Sequence, residues 1–222
     1  MDVTAGGLRA RIVPVDRAGA GLALRARLFR NGACDRDRHD SDARHLLVEE
    51  AGTLCGYARL AVQRNGAAIG GYAGTRYDLG AFACAFPVAI EVGRFCIAPG
   101  HEDPRIPRLM LATMARAVTA EGATALHGCA SFPLRGNGPV AIADRVAPEA
   151  WRSRRRAAET MPLAALAGPM PPLLRMWLAL GASISDHAVI DRDLGTLHVH
   201  AALPVAAIPL NRARRLAKLL AA

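Results

Sequence analysis

The sequence predicts an α/β domain built on a mixed central sheet with helices on both faces. Two observations carry that reading. A strand over 88–97, a helix opened by Pro104 or Pro107 and a strand over 125–132 form a right-handed crossover unit with parallel strands. The flanking apolar runs switch between strand and helix periodicity in the order β α β β β α β α α β β.

Taken in order, residues 8–15 alternate weakly as a strand. Asp16 is placed to cap a helix running to about Arg30, with Leu22, Leu24, Leu28 and Phe29 available for burial, and Asn31-Gly32 ends it. A charged loop, 34–42, leads to strands 45–49 and 54–62 around a tight turn at Gly52. Residues 63–81 read as an irregular Gly- and Tyr-rich excursion. After the strand 88–97, Pro99-Gly100 stops the chain. Ile106, Leu109, Met110, Ala112, Met114 and Val118 then recur at helical spacing until Gly122. Beyond residue 132 come a basic helical segment over 151–158, a Pro-punctuated loop and a helix from Pro171-Pro172 to Gly181. Strands 183–190 and 196–203 follow, and a basic amphipathic helix over 211–220 closes the chain.

At 222 residues the chain suits one well-cored domain, and no linker or repeat divides 1–222. Its 52% hydrophobic content includes no apolar run near the roughly 20 residues that span a bilayer. Met1-Asp2-Val3-Thr4 lacks a signal-peptide pattern. The five cysteines (34, 55, 84, 96 and 129) are odd in number and form no CxxC, which predicts reduced thiols and a cytoplasmic protein. Neither they nor the seven histidines show metal-ligand spacing, so no metal is expected. A net charge of +9 attracts acidic partners: an acidic protein, an anionic membrane surface or nucleic acid. With aromatics at 5% and no binding motif, a nucleic-acid-binding module is the weakest of these.

The most informative stretch is Ile90-Glu91-Val92-Gly93-Arg94-Phe95-Cys96-Ile97. It sets an acid and a base inside an apolar strand, where an ionised side chain costs several kcal/mol unless paired or used. Glu91 is read either as a catalytic base or as the structural partner of Arg94. Residues three apart on a strand face opposite ways, so a direct pair requires a kink. A kink would also free backbone N–H groups near Phe95, Cys96 and Ile97 to hold a carbonyl oxygen.

With that stretch go Asp42-Ala43-Arg44-His45-Leu46-Leu47-Val48, Gly128-Cys129-Ala130-Ser131-Phe132-Pro133, Pro171-Pro172-Leu173-Leu174-Arg175 and Ala188-Val189-Ile190-Asp191-Arg192-Asp193. In this order they resemble the bacterial ornithine N-acyltransferases of the GNAT superfamily, which begin ornithine-lipid synthesis from 3-hydroxyacyl groups on acyl carrier protein. The resemblance covers residues 42–193. It implies a GNAT-like fold and amide formation between an acyl thioester and the α-amine of ornithine, yielding a lyso-ornithine lipid. No bound cofactor is implied; the acyl-phosphopantetheine thioester on the carrier is a co-substrate. Two positions depart from the pattern: 71–78 is less acidic, and Leu134 replaces the glycine usual after Ser-Phe-Pro.

Amine attack on a thioester needs a neutral amine, a polarised carbonyl and a protonatable thiol. Glu91 and Arg94 are the catalytic candidates. Phe95, Cys96 and Ile97, Arg105 and Arg108 at the helix start, and Ser131 and Phe132 at the end of the next strand are placed with the donor. Tyr77 and Asp78 are placed with the cationic acceptor. The loop 98–105 contains Gly100 as its one glycine and the acids Glu102 and Asp103, which repel a diphosphate. That favours a carrier-bound donor over coenzyme A. His127 reads as a core histidine, and neither Ser131 nor Cys129 lies in a nucleophile motif. Rival readings on the same fold are an acyl-homoserine lactone synthase and a CoA-dependent N-acetyltransferase. Arg152, Arg154, Arg155 and Arg156, and Arg212, Arg214, Arg215 and Lys218 in the C-terminal helix, are candidate carrier or peripheral membrane contacts. Docking of that last helix onto its own domain is the equal alternative.

Overall fold

The computed structural model describes residues 2–138 and 140–221, with side chains for all of these except 216–221. Its strands are β1 (Asp2–Ala5), β2 (Leu8–Val13), β3 (Arg44–Glu50), β4 (Thr53–Arg64), β5 (Tyr77–Asp78), β6 (Val88–Ile97), β7 (Ala125–Pro133), β8 (Arg154–Arg155), β9 (Thr160–Pro162), β10 (Ser183–Ile184), β11 (His187–Asp191) and β12 (Thr196–Pro204). Its helices are α1 (Gly19–Arg30), α2 (Tyr72–Arg76), α3 (Gly80–Ala85), α4 (Arg105–Glu121), α5 (Pro172–Ala179) and α6 (Leu210–Ala221). The result is the expected α/β fold with a mixed sheet. The chain forms two compact units, one of Met1–Val62, Val92–Gly122 and Leu210–Ala222, the other of Gln63–Glu91 and Ala123–Pro209.

In the first unit the strand order is β1-β2-β3-β4-β6, and β1 to β4 form antiparallel neighbours. The turn between β3 and β4 places both Ala51 (φ 47°) and Gly52 (φ 82°) in the left-handed region, the two-residue hairpin geometry that matches strand twist. A second hairpin, β1–β2, was not legible as a strand pair because Asp2–Ala5 has only one buried apolar side chain, Val3. Asp16 does not cap α1: it lies in a short 3-10 turn, Val15–Arg17, and the helix begins at Gly19. Asn31 ends it in the left-handed conformation, as its sequence position predicts. Leu22 and Leu24 of α1 pack with Leu47, Tyr57 and Cys96, while α4 buries Ile106, Leu109, Met110 and Met114. Each such large apolar side chain contributes about 1.5–3 kcal/mol on burial. The C-terminal α6 lies against α4 and β1, so it docks on its own unit.

In the second unit the order is β6-β7-β12-β11-β9. The pair β6–β7 is parallel, aligning Glu91 with His127, whereas β7 and β12 run antiparallel from Ala125↔Pro204 to Pro133↔Thr196. The predicted strand 183–190 is two strands, β10 and β11, separated where the Ser185 hydroxyl donates to the His187 carbonyl and accepts from His200 N–H. The irregular stretch 63–81 contains α2 and β5, and α3 begins at its end. The expected basic helix over 151–158 is a correction: Arg154 and Arg155 form β8 and pair with Asp78 and Tyr77 of β5. Tertiary pairing overrides the helical pattern there, because Trp151 packs edge-on against Phe86 and Phe82 and the backbone bonds across to Tyr77-Asp78. Among the described residues no helix is long and apolar enough to cross a membrane.

Candidate active site

Glu91 sits on β6 with 6% of its surface exposed, and two donors meet its two oxygens. Ala73 N–H, in the first turn of α2, donates to Oε1 at 2.6 Å, and Gln63 Nε2, near the end of β4, donates to Oε2 at 2.6 Å. The Gln63 amide therefore turns its carbonyl toward His127, whose Nε2 lies 2.6 Å from Oε1. That ring nitrogen must donate, leaving Nδ1 to accept from His200 Nε2 at 3.1 Å. Burial holds His127 well below the usual imidazole range and His200 at about 3, so both rings are neutral and the chain of bonds has one consistent direction. His127 is the satisfied core histidine the sequence suggested, yet it also fixes which end of Gln63 faces Glu91. A β-carbon at Gly71 would overlap both Gln63 Nε2 and Glu91 Oε2, so that position admits no side chain without displacing the pair.

Three residues on, the strand kinks. Arg94 has φ 53°, the left-handed region that costs a non-glycine residue about 1–2 kcal/mol. Its Nε donates to Asp35 Oδ2 at 2.8 Å, its Nη2 lies 3.6 Å from Asp37 Oδ2, and its guanidinium stands over the Phe29 ring at 5.7 Å. The charged loop 34–42 is a source of buried anions. Arg25, fully buried, pairs with Asp35 at 2.9 Å and Asp40 at 2.6 Å, and Arg59 with Asp37 at 2.6 Å and Asp40 at 3.1 Å. Burial raises the Asp40 carboxyl, but the Arg25 hydrogen bond, the Asp37 N–H and the charges of Arg25 and Arg59 together outweigh it and leave that group below the usual carboxylate range. Arg25 also donates to Tyr57 Oη at 3.1 Å, which lies 2.8 Å from His45 Nδ1. This network holds the strained Arg94 conformer in place.

The other candidates fall in varied settings. Phe95 and Ile97 are half-buried, and Cys96 is buried with its thiol pushed up to about 12, so it is no thiolate nucleophile. Arg105 is committed: its Nη2 lies 2.6 Å from Asp103 Oδ2 and its Nη1 donates to Gly6 O at 3.0 Å. Asp103 Oδ1 accepts the Arg105 backbone N–H at 2.8 Å, so a carboxylate of the chain itself occupies the anion position at the start of α4. Arg108 and Ser131 are exposed, and Phe132 is buried opposite Leu197. Tyr77 is fully buried, its hydroxyl donating to His198 O at 2.7 Å, and desolvation raises it well above the usual phenol range. Asp78 is half-buried and accepts Gly80 N–H at 2.9 Å. Among the described residues no group of three or more His, Cys, Asp or Glu side chains is placed to hold a metal ion.

Sequence reasoning missed Gln63, Gly71, Ala73 and the Arg25 and Arg59 pairs. Only β12, where His198 and His200 alternate with apolar residues, carried a signal, since two histidines on one face of an apolar strand imply a buried polar row.

Comparison with known proteins bears on the class of protein. A family model described as an acetyltransferase (GNAT) domain matches residues 22–112. The chain is 29% identical over 199 residues to the L-ornithine N(alpha)-acyltransferase of Brucella abortus, covering 77% of this chain and 70% of that protein. It is 27% identical over 202 residues to the one of Rhizobium meliloti, with 78% and 68% covered. A CoA-dependent acyl-homoserine lactone synthase, BjaI, superposes with a TM-score of 0.56 at 10% identity over 100% of this chain and 90% of that one. The N-acyl amino acid synthase FeeM from uncultured soil microbes gives 0.54 at 14% identity, over 89% and 95%. The chain is an acyltransferase with a GNAT-like fold. Within that class its sequence is most informatively placed beside the L-ornithine Nα-acyltransferases.

Proposed function

We propose that this chain transfers a long, 3-hydroxylated acyl group from acyl carrier protein to the α-amine of ornithine, forming a lyso-ornithine lipid. The observation that carries the reading is Glu91, a buried carboxylate on β6 held by Gln63 and the Ala73 N–H. Glu91 takes a proton from the α-ammonium, directly or through one water, and the freed amine attacks the thioester carbon. The N–C bond forms as the carbonyl oxygen becomes an oxyanion, which hydrogen-bond donors stabilise. The C–S bond then breaks, and the departing phosphopantetheine thiolate takes up a proton.

Asp103 favours the carrier-bound donor. Its carboxylate already occupies the N–H and guanidinium of Arg105, where a coenzyme A diphosphate would otherwise find its partners, while a phosphopantetheine carries only one phosphate. Pairing with Arg105 neutralises Asp103, so the occupied position excludes a diphosphate more than charge repulsion does. Exposed Arg212, Arg214 and Arg215 on α6, with Leu210 76% exposed beside them, support peripheral contact with an anionic membrane surface, where the product belongs. The side chains of Leu216, Lys218, Leu219 and Leu220 lie outside the described residues. Purified protein with 3-hydroxyacyl carrier protein and ornithine should form an amide seen by mass spectrometry. No amide across several donors and amino acids would overturn the reading.

A further inference from the structure

The hydrogen bonds behind Glu91 run in one direction. His200 Nε2 donates to His127 Nδ1 at 3.1 Å, His127 Nε2 to Gln63 Oε1 at 2.6 Å, and Gln63 Nε2 to Glu91 Oε2 at 2.6 Å. A donor faces the carboxylate at every step, and consecutive bonds of this kind polarise one another. Gln63, His127 and His200 are all buried, so none exchanges these partners freely for water.

The second unit holds this row of side chains from several sides. Glu91 and His127 are register partners on the parallel strands β6 and β7, which puts both on one face of the sheet, where Gln63 bridges them. The Phe82 ring lies 4.7 Å from the ring of His127 and 5.4 Å, edge-on, from that of His200. The His200 backbone N–H in turn donates to Ser185 Oγ at 3.1 Å. At Gly71 the backbone comes so near that a β-carbon would overlap Gln63 Nε2 and Glu91 Oε2.

The Gln63 amide serves two different neighbours, donating to a carboxylate at one end and accepting from an imidazole at the other. As a neutral donor it holds Glu91 without the full positive charge of an arginine, which would draw the carboxylate's basicity down further. Its weakness is that an amide rotates. With its carbonyl left unpartnered in a buried site, Gln63 turns to recover a hydrogen bond and carries its NH2 away from Glu91.

We propose that His127 is a positioning residue for acyl transfer: its Nε2–H holds the Gln63 carbonyl and thereby aims the NH2 that fixes the Glu91 carboxylate. The assignment rests on Glu91 as the base and adds what keeps that base in place.

The test compares two variants of the full chain. His127→Gln carries an N–H out to the place of the Nε2–H, whereas His127→Asn reaches only the place of Nδ1; both take the imidazole away from Phe82, and both should lower the melting temperature. His127→Asn should reduce kcat for amide formation about tenfold to a hundredfold, with KM for ornithine and for the carrier-bound donor within about threefold. His127→Gln should recover most of that loss. Gln63→Met, which keeps the length without the amide, should lower kcat as far, and His127→Asn added to it should change kcat less than about twofold, because the imidazole acts through the amide. Equal rates in His127→Gln and His127→Asn, or falls that multiply in the double variant, overturn the assignment, while amide formation by the unaltered protein keeps the acyltransferase reading intact. If the unaltered protein acylates no amino acid, or Glu91→Gln keeps the full rate, hydrogen exchange of the Gln63 side-chain NH2, followed by NMR, decides. Slow exchange that His127→Asn abolishes and His127→Gln keeps sustains the clamp on Glu91, and exchange indifferent to both overturns it.

Discussion

Glu91 is the residue at which sequence and geometry meet most directly. An acid in an apolar strand was legible from the sequence, because few other reasons put a carboxylate there; its partners were not, since Gln63 and Gly71 are ordinary residues until folded around it. Glu91→Gln keeps the shape but cannot take a proton, so amide formation should fall by about a hundredfold or more, with the melting temperature close to the parent. A variant retaining full rate would remove Glu91 as base. Gly71→Ala forces a β-carbon against the Gln63–Glu91 pair. Displacing the carboxylate by about 1 Å should cost roughly a hundredfold in kcat, read in the same assay; unaltered kcat would show that the pair tolerates the shift. Asp35 sits between Arg25 and Arg94 in the buried network. Asp35→Asn leaves three guanidiniums, those of Arg25, Arg30 and Arg94, short of an anion and should lower the unfolding free energy by about 3–5 kcal/mol in urea titration.

At the scale of elements, β6, α4 and β7 stand at Val88–Ile97, Arg105–Glu121 and Ala125–Pro133, within a residue or so of the boundaries read from the sequence. Their turn residues and apolar spacing are local signals. The segment 151–158 was misread because its helical pattern is also local, whereas its pairing partner, β5, lies far back in the chain. The start of α4 carries its own prediction. Asp103→Ala frees the Arg105 N–H and guanidinium together, so acyl-coenzyme A should compete more strongly as donor while the rate with carrier-bound donor stays within about twofold. Stability should change little. An unchanged coenzyme A competition constant would show that Asp103 does not guard this position.

For the molecule as a whole, the buried histidines set an acid limit. Burial lowers His198 to about 4 and His200 to about 3, and holds His127 well below 6.5. The unfolded chain therefore binds protons near pH 6.5 that the folded chain refuses. Stability is complete above that value and falls with pH toward 4, by up to about 1.4 kcal/mol per unit for each ring. Asp37 and Asp40, lowered by their arginines, contribute stability present above about 3.8 and lost below it, so both groups act in the same direction. Thermal melts should drop steeply between pH 6.5 and 4.5, and His198→Asn should reduce the slope by one proton. A flat melting temperature across that range would contradict the burial of neutral rings.

The sequence by itself determined the α/β class, the parallel crossover unit over 88–132, the hairpin at Gly52 and the charged residues of the central strand. Those features follow from periodicity, turn chemistry and the cost of burying charge, all of which act over a few residues. Only the tertiary structure decided that Glu91 is held by Gln63 and Ala73, 28 and 18 residues away, and that the charged loop supplies buried anions to Arg25, Arg59 and Arg94. Hydrogen-bond partners are chosen by where strands come to lie, and no local spacing encodes that.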